Sequence, residues 1–432
     1  MQNITHTCRQ HYRVLFVYFC LDHMDYSLHT LSNGLRIAYK KVTGTRLVHC
    51  GYIIHAGSRN DGELPGLAHC LEHMVFKGTK RRKTIHVLNH LEVVGGEMNA
   101  FTTKEITAIY ASVQNTHFSR AADILSDVVI NSVIPETELL KEKKVISDEI
   151  HMYLDTPEEN IYDEFHEMVF GAHPLGHNIL GNTESLESIN RKDILNFTGK
   201  HYHPGNMVFA VVGNISLNRV LQAMEKYSSS MPKALNNGKR KDNTFQYQPQ
   251  AITRETDFIQ GYTILGMPAY SFDHPKKWTL LLLNNLLGGP GLNSRLNLAI
   301  REKYGFTYHV ESGYQSYSDA GIFHCYLSSE KKYIHRSVEL VLKELKKLRE
   351  NKLGKLQLGK FKSQFSGQMV MSDENRSGLM VHIGKGILTH GKAISLEEVL
   401  KEIEKISAEN ILEVANEIFN PMQFSYLTYL PE

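Results

Sequence analysis

The order of predicted strands and helices repeats between the two halves of the chain, and this repeat restricts the fold more than any single motif. In the first half, the strand pair LRIAYKK and VHCGYIIHAGS precedes a helix around HCLEH, a second helix, another strand pair and a long helix. In the second half, the strand IQGYTILGMPA precedes WTLLLLNNLLGG, SRLNLAIREKYG, a strand pair and a long helix. Alternating apolar residues predict the strands, and three-to-four spacing predicts the helices. The predicted fold class is α+β, with two similar domains from an internal duplication, each an antiparallel-rich sheet covered by helices.

A polar segment, SMPKALNNGKRKDNTFQYQPQ, separates the two halves and has the composition of a solvated linker. It places the domain boundary near Asn236, which gives one domain over residues 24–235 and a second over residues 236–432. Residues 1–23 contain a run of eight apolar residues that is too short to span a membrane and lacks a small-residue cleavage site. Because Met24 precedes the first well-patterned strand, residues 1–23 are interpreted as an over-extended start or a disordered N-terminus.

The charge balance and the cysteine count narrow the function classes. Lys and Arg total 48 against 46 for Asp and Glu, so the formal charge of +2 does not favour a nucleic-acid-binding surface. The five cysteines are an odd number and include no CxxC pair, which favours a reducing compartment over a disulfide framework. The protein is therefore predicted to be cytoplasmic, without nucleic-acid or membrane partners.

The HCLEH segment predicts one helix with two distinct faces. Leu67, Leu71, Met74 and Val75 form an apolar stripe, whereas His69, Glu72, His73 and Phe76 fall on the opposite side. Histidines at positions i and i+4 can hold one metal ion together, and zinc suits such a pair with one position left open for water. Glu72, between the two histidines, would then be free to act as a general base.

Two alternatives to this metal site have to be considered, namely a chance pair of histidines and a different ligand on the same helix. A chain with 23 histidines produces pairs at this spacing by chance, although the added Glu72 and the two-faced helix favour metal binding. Cys70 is a rival ligand, but it points toward the edge of the packed face. We interpret Cys70 as a small buried apolar residue.

A third protein ligand is expected on the helix that follows Pro135. Glu149 is a candidate because its helical neighbours are apolar, namely Val145, Ile146, Met152 and Tyr153. A carboxylate there must be paired, coordinated or protonated, because its desolvation is costly. Glu142, seven residues earlier, is placed to orient a ligand. The pattern alone does not choose among Glu142, Asp148 and Glu149, and salt bridges to lysines or histidines would satisfy the same carboxylates.

Taken together, these motifs resemble the inverted-motif zinc peptidases of the pitrilysin, insulysin and mitochondrial processing peptidase family, peptidase family M16, in its short two-domain bacterial form. The resemblance runs from about Tyr26 to the C-terminus. It includes GSRND, HCLEHMVFKGT, GGEMNAFTTKEITAIYA, LLKEKKVISDEIHMYLDTPEEN, HPLGHNILG and YHPGNMVFAVVGN. A departure is GGPGLNSRL, which is far shorter than the glycine-rich loop of the mitochondrial non-catalytic subunit and argues against a presequence-specific role.

The resemblance implies a role for each matching residue. It implies metal ligation by His69, His73 and Glu149, support from Glu142, catalysis by Glu72, Arg301 and Tyr308, and substrate binding by Asn99, Ala100 and Phe76. Arg301 and Tyr308 would bind the substrate backbone and stabilise the oxyanion. Asn99 and Ala100 would lie on an edge strand to which an extended peptide adds by backbone hydrogen bonds. Because LLNNLLGG replaces the metal helix in the second half, one zinc ion per chain is expected.

The resulting functional hypothesis is a zinc endopeptidase that encloses unstructured peptides or processing segments within a clam-shell dimer. A homodimer is expected, with a half-active heterodimer as the alternative. A non-catalytic or partner-dependent assembly subunit of the same fold is the second hypothesis, and an intracellular scaffold with structural zinc is the third. The presence of the ligands, the base and the Arg301 and Tyr308 pair in one chain favours the enzyme.

Overall fold

The computed structural model describes residues 26–233 and 245–432. The first half contains β1 Tyr26–Thr30, β2 Arg36–Lys41, β3 Leu47–Ile54, α1 Leu67–Met74, α2 Thr84–Glu92, β4 Glu97–Thr102, β5 Thr107–Gln114, α3 Phe118–Asn131, α4 Glu136–Leu154, α5 Pro157–Phe170, α6 Thr183–Ser188, α7 Arg191–His201, β6 Met207–Gly213 and α8 Leu217–Tyr227. The second half contains β7 Ala251–Thr256, β8 Gly261–Pro268, α9 Lys277–Gly288, a π-helix Asn297–Glu302, β9 Thr307–Ser316, β10 Gly321–Ser329, α10 Lys331–Glu350, α11 Lys355–Asp373, α12 Arg376–His390, α13 Leu396–Lys405, α14 Ala408–Ile418 and β11 Ser425–Pro431.

The two sheets have the same strand order. The first sheet is ordered β1-β2-β6-β3-β5-β4 and the second β7-β11-β8-β10-β9, so the second sheet matches the first strand for strand once β1 is set aside. In each sheet one matching pair is parallel, β2 with β6 and β7 with β11, and the remaining neighbours are antiparallel. The predicted α+β fold with two similar, antiparallel-rich sheets is confirmed.

Burial along the strands follows their place in the sheet. Every residue of β6 and β10 is buried, as expected for strands covered on both faces; β6 is a continuous apolar run, whereas β10 also includes His324, Ser328 and Ser329. β4, at the edge of the first sheet, keeps four of its six residues partly exposed. Among the described strands, β4 pairs with β5 alone.

The chain divides into two compact units that exchange one helix each. Among the described residues, the first unit comprises 26–151, 177–233 and 369–397, and the second comprises 152–176, 245–368 and 398–432. Helix α12 therefore packs on β3 and β6 of the first unit, where a Cβ atom on Gly384 would lie 2.4 Å from a side-chain carbon of Ile53. Helix α5 packs in the second unit, where its apolar residues join a core that includes Ile264 and Leu427.

The predicted domain boundary and the N-terminal prediction are not tested by this division. The boundary near Asn236 falls within residues 234–244, and residues 1–23 also lie outside the described part of the chain. The exchange of α5 and α12 is an additional feature that a single cut of the sequence does not represent. Within the described ranges, the helices are too short or too polar to cross a bilayer.

Candidate metal centre

Helices α1 and α4 bring two imidazoles and one carboxylate to a common point. His69 and His73 lie one turn apart on α1 with ring centroids 4.7 Å from each other, and Glu149 approaches from α4. Glu149 Oε2 lies 3.7 Å from His69 Nε2 and 3.5 Å from His73 Nε2. Among the described residues, this is the one group of three or more His, Cys, Asp or Glu side chains whose donor atoms all lie within 4.8 Å of one another.

These donor atoms fit a zinc ion. Ligand bonds of about 2.0–2.2 Å in a tetrahedral arrangement place neighbouring donor atoms roughly 3.4 Å apart, close to the two measured separations. His69 and Glu149 are buried, with 4% and 7% of their surfaces exposed, so water does not screen them fully. Two histidines and one glutamate leave one position of a tetrahedral ion for water or substrate, which is the arrangement of catalytic zinc sites.

A second carboxylate supports the histidine pair from the other side. Glu142 Oε2 lies 3.2 Å from His73 Nδ1, and Glu142 Oε1 lies 2.5 Å from Lys77 Nζ. Burial alone would lower the pKa of His73, but hydrogen bonds to Glu142 and Glu149 raise it to about 9. Burial would raise the pKa of Glu142, yet the hydrogen bonds from His73 and Lys77 lower it overall. The raised pKa of His73 records a negative potential that attracts a cation, whereas the lowered pKa of Glu142 records the positive charge that His73 and Lys77 place beside it.

Glu72 lies on α1 between the two histidines and is buried. Its negative charge acts on His73, whose pKa it helps to raise. Burial, followed by the charge of Glu72, raises the pKa of Tyr202. A carboxylate held next to the metal position can accept a proton from a water that reacts there.

The N-terminus of α1 is fixed by a buried carboxylate. Asp61 accepts hydrogen bonds from the backbone N–H groups of Gly66 at 2.8 Å and Ala68 at 2.9 Å. Burial raises the pKa of Asp61 to about 8 against these hydrogen bonds. Gly66 has φ +92°, and a Cβ atom there would lie 2.5 Å from the Leu180 carbonyl oxygen, so the turn into α1 requires glycine. The direction of α1, and with it the placement of both histidines, depends on this turn.

The loop before α1 also contacts the connection between β4 and β5. The Ser58 N–H donates to the Thr103 carbonyl at 3.0 Å, and Arg59 forms a buried ion pair with Glu105 at 2.7 Å. Because the same loop provides Asp61, one segment supports both the metal helix and the end of the edge strand.

The residues predicted to bind substrate lie beside the metal helix. Asn99 and Ala100 are on β4, opposite Tyr110 and Ile109 of β5, and β4 is an edge strand close to α1. Phe76 is the second residue after α1 and is partly exposed. Backbone N–H and C=O groups at the outer edge of such a strand point away from the sheet, which is the arrangement to which an extended peptide adds.

Arg301 and Tyr308 lie together in the second unit. Arg301 is in the π-helix, Tyr308 is the second residue of β9, and the guanidinium carbon lies 5.4 Å from the centroid of the tyrosine ring. Tyr308 is 82% exposed. Within SRLNLAIREKYG, the residues Asn297–Glu302 form a widened π turn that includes the arginine, a feature that is frequent at functional sites.

Two of the sequence interpretations concern residues around the metal helix. Cys70 is fully buried, and burial raises the pKa of its thiol to about 12, which agrees with the small buried residue expected there. The basic cluster KGTKRRK, residues 77–83, has the composition of a solvated face, but that interpretation is wrong for Lys77 and Arg82. Lys77 pairs with Glu142, and Arg82 pairs with Asp123 and Asp127. The opposite charges lie on other helices, and a run of seven residues does not reveal them.

Comparison with known proteins gives consistent matches over both halves. The family model Insulinase (Peptidase family M16) matches residues 36–183, and Peptidase M16 inactive domain matches residues 188–365. The uncharacterized zinc protease YmxG of Bacillus subtilis is 32% identical over 392 residues, covering 90% of this chain and 95% of the relative.

Two solved structures share the fold at lower sequence identity. A protease from Helicobacter pylori has a TM-score of 0.87 at 21% identity and covers 96% of this chain and 100% of its own. A structure described as a peptidase M16 inactive domain, from Pseudomonas fluorescens, has a TM-score of 0.86 at 20% identity and covers 95% and 98%. These two likenesses support the fold alone.

Proposed function

This chain belongs to the M16 peptidase family, and on that premise we propose that it is a zinc-dependent endopeptidase that hydrolyses unstructured peptides or processing segments. The observation that carries the proposal is the convergence of His69, His73 and Glu149 from α1 and α4, with Glu72 between the two histidines on α1. The zinc protease names of its relatives agree with a zinc ion at this point. One ion per chain is proposed, because the described residues offer one such ligand set.

A zinc ion held by His69, His73 and Glu149 would polarise the scissile carbonyl and make an attacking water more acidic. Glu72 takes the proton from that water as a general base and then delivers it to the leaving amine as a general acid. Glu142 accepts a hydrogen bond from His73 Nδ1, so that the opposite ring nitrogen is available for the metal.

The substrate is proposed to bind as an added strand. Backbone groups of β4 near Asn99 and Ala100 pair with an extended peptide, which selects for unstructured segments rather than for a particular side chain. Phe76 contributes an apolar contact beside the metal helix. Arg301 and Tyr308 provide hydrogen-bond donors for the peptide backbone and for the oxyanion.

The proposed partner is a second copy of the chain. In this arrangement, Arg301 and Tyr308 of one chain serve the metal centre of the other, and a heterodimer is the alternative. The exposure of Tyr308 leaves its ring available for such a role. A cytoplasmic location is proposed from the cysteines, since Cys50, Cys70 and Cys325 are buried thiols outside any disulfide.

The decisive experiment compares hydrolysis of an unstructured peptide by the purified chain and by Glu72→Gln, with zinc content measured for both. We expect the variant to keep its zinc and to lose activity by about 100-fold or more, since general acid–base groups contribute about 10²–10⁴-fold. Glu63→Gln, an exposed glutamate shortly before α1, is the matched control and should hydrolyse normally.

Two outcomes would contradict the proposal. Equal hydrolysis by Glu72→Gln and the unchanged chain would remove Glu72 from the reaction. No hydrolysis by a zinc-loaded chain, alone or with a partner subunit, would favour the non-catalytic assembly hypothesis instead.

A further inference from the structure

A lysine outside the ligand set contacts the metal centre through one carboxylate. Lys77 Nζ lies 2.5 Å from Glu142 Oε1, and the other oxygen of the same carboxylate lies 3.2 Å from His73 Nδ1. His73 in turn directs Nε2 toward Glu149. The three side chains form a continuous line of contacts that ends at a proposed zinc ligand.

The backbone of Lys77 is held in place by neighbours on both sides. Its N–H donates to the Met74 carbonyl at the end of α1 at 3.1 Å, and its carbonyl accepts from the Thr84 hydroxyl at 2.9 Å. Arg82, in the same loop, is paired with Asp123 and Asp127. The lysine therefore reaches Glu142 from a fixed loop, unlike a surface ammonium group whose position averages over many rotamers.

We propose that Lys77 is a positioning residue for zinc binding, which acts through Glu142 to fix the orientation of His73. The inference rests on the proposed zinc site. The ammonium group holds one oxygen of the buried Glu142 carboxylate, so that the other oxygen stays turned toward His73. That oxygen accepts a hydrogen bond from His73 Nδ1, and the lone pair on Nε2 is then available for the metal.

The direction in which zinc affinity changes when Lys77 is replaced distinguishes this positioning role from direct Coulomb repulsion between the two cations. Lys77 and a zinc ion are both cations, and Coulomb repulsion alone predicts that removal of the ammonium group strengthens zinc binding. Loss of the contact through Glu142 predicts the opposite, because an outer carboxylate that turns away no longer holds the imidazole. When ionised, Glu72, Glu142, Glu149 and Lys77 together carry a charge of −2, which a divalent ion balances.

The test measures the zinc dissociation constant by competition with a chromogenic chelator for the unchanged chain and Lys77→Met. We expect about 10-fold weaker binding, the lower end of the roughly 10- to 100-fold range for outer-shell partners of metal ligands. Lys80→Met is the matched control, since Lys80 is exposed in the same loop, and its zinc affinity should not change. Lys77→Gln is measured beside it, so that a folding defect in one variant does not decide the result.

Measuring the zinc dissociation constant of Lys77→Met in a Glu142→Gln background tests whether the lysine acts through Glu142. If Lys77 acts through Glu142, adding Lys77→Met to Glu142→Gln changes the dissociation constant little beyond the effect of Glu142→Gln alone. Tighter or unchanged zinc binding in Lys77→Met and Lys77→Gln overturns the proposal. A full additional loss in the double variant overturns the route through Glu142.

This experiment is independent of peptide hydrolysis. If the chain binds zinc but cleaves no peptide, the proposed enzyme fails while the affinity of Lys77→Met still decides the role of the lysine. If the lysine variants bind zinc like the unchanged chain and hydrolysis proceeds, the enzyme stands and the positioning role fails.

Discussion

The first and second units place different chemistry on matching helices. In the first unit, α1 carries His69 and His73, and the carboxylate of Glu149 meets them from α4. In the second unit, α9 follows β8 as α1 follows β3, but its ten buried residues are leucines, amides, a threonine and a glycine. The same order of strands therefore surrounds a candidate metal centre in one unit and a mostly apolar helix in the other.

The comparison extends to the helix that brings the third ligand. Helices α4 and α11 are both 19 residues long, and Glu149 and Gln368 are each the fourteenth residue. Gln368 Oε1 accepts a hydrogen bond from Asn285 Nδ2 of α9 at 2.8 Å. The second unit thus joins the corresponding two helices by a pair of neutral amides.

The difference separates the requirements of the fold from those of the chemistry. Neutral amides satisfy each other at low cost, whereas a buried glutamate beside two histidines needs a cation or protons to balance its charge. The fold of the second unit forms without such a group. Packing alone therefore does not account for the carboxylates of the first unit, in agreement with the proposed metal site.

The largest effect on zinc binding is expected when Glu149 of the first unit is replaced by glutamine, the residue at the corresponding position of the second unit. Glu149→Gln preserves the shape of the side chain but removes the charged ligand, so zinc binding should weaken by more than the roughly 100-fold that an outer-shell change costs. Peptide hydrolysis should fall with it. Zinc content by atomic emission and the hydrolysis rate measure the two effects.

Asp148→Asn is the control for this prediction, because Asp148 is the preceding residue of α4 and is exposed. It removes the same charge from the same helix and should leave both quantities unchanged. Zinc retained at full affinity by Glu149→Gln would show that the carboxylate is not a ligand.

A smaller effect is expected from two substitutions in the second unit, which should lower the rate of peptide hydrolysis without changing the zinc content. Arg301→Met and Tyr308→Phe should each lower kcat/KM by about 100-fold, within the 10²–10³-fold range for removal of one oxyanion donor. Zinc content should stay constant, since neither residue belongs to the ligand set. Both side chains are at least partly exposed, so the melting temperature should change little.

Arg336→Met and Tyr304→Phe are the matched controls, because both residues are exposed in the second unit. They should hydrolyse the peptide like the unchanged chain. A normal rate in Arg301→Met and Tyr308→Phe would mean that the second unit contributes its fold without contributing to the reaction.

The sequence predicts the repeated architecture and the helix that carries His69 and His73 well, because both depend on local periodicity. His69 and His73 are four residues apart, so a single helix determines their proximity. The third ligand is harder, since Glu142, Asp148 and Glu149 share similar surroundings in the sequence. The structure separates them: Asp148 is exposed, while Glu142 contacts Lys77 and Glu149 lies beside both histidines.

Two features depend on long-range packing and cannot be predicted from the periodicity of the sequence. Lys77 and Glu142 are 65 positions apart, and a basic run gives no sign of which member has a buried partner. The exchange of α5 and α12 is equally hidden, because an apolar helical face indicates that a helix packs but not which sheet it covers. Such pairings are decided by the whole fold.

The smallest effect is expected for the amide pair of Asn285 and Gln368, which occupies the position in the second unit that corresponds to the candidate metal centre. Asn285→Leu leaves the Gln368 amide without its partner and should lower the free energy of unfolding by about 1 kcal/mol. Adding Gln368→Leu should recover part of that loss, because replacing both partners by apolar groups is nearly neutral. Asn293→Leu, which breaks an exposed amide pair with Gln364, is the control and should stay within about 0.5 kcal/mol. Urea unfolding measures all three, and a loss of zinc in Asn285→Leu would contradict the separation of the two units, because that amide pair would then support the metal centre.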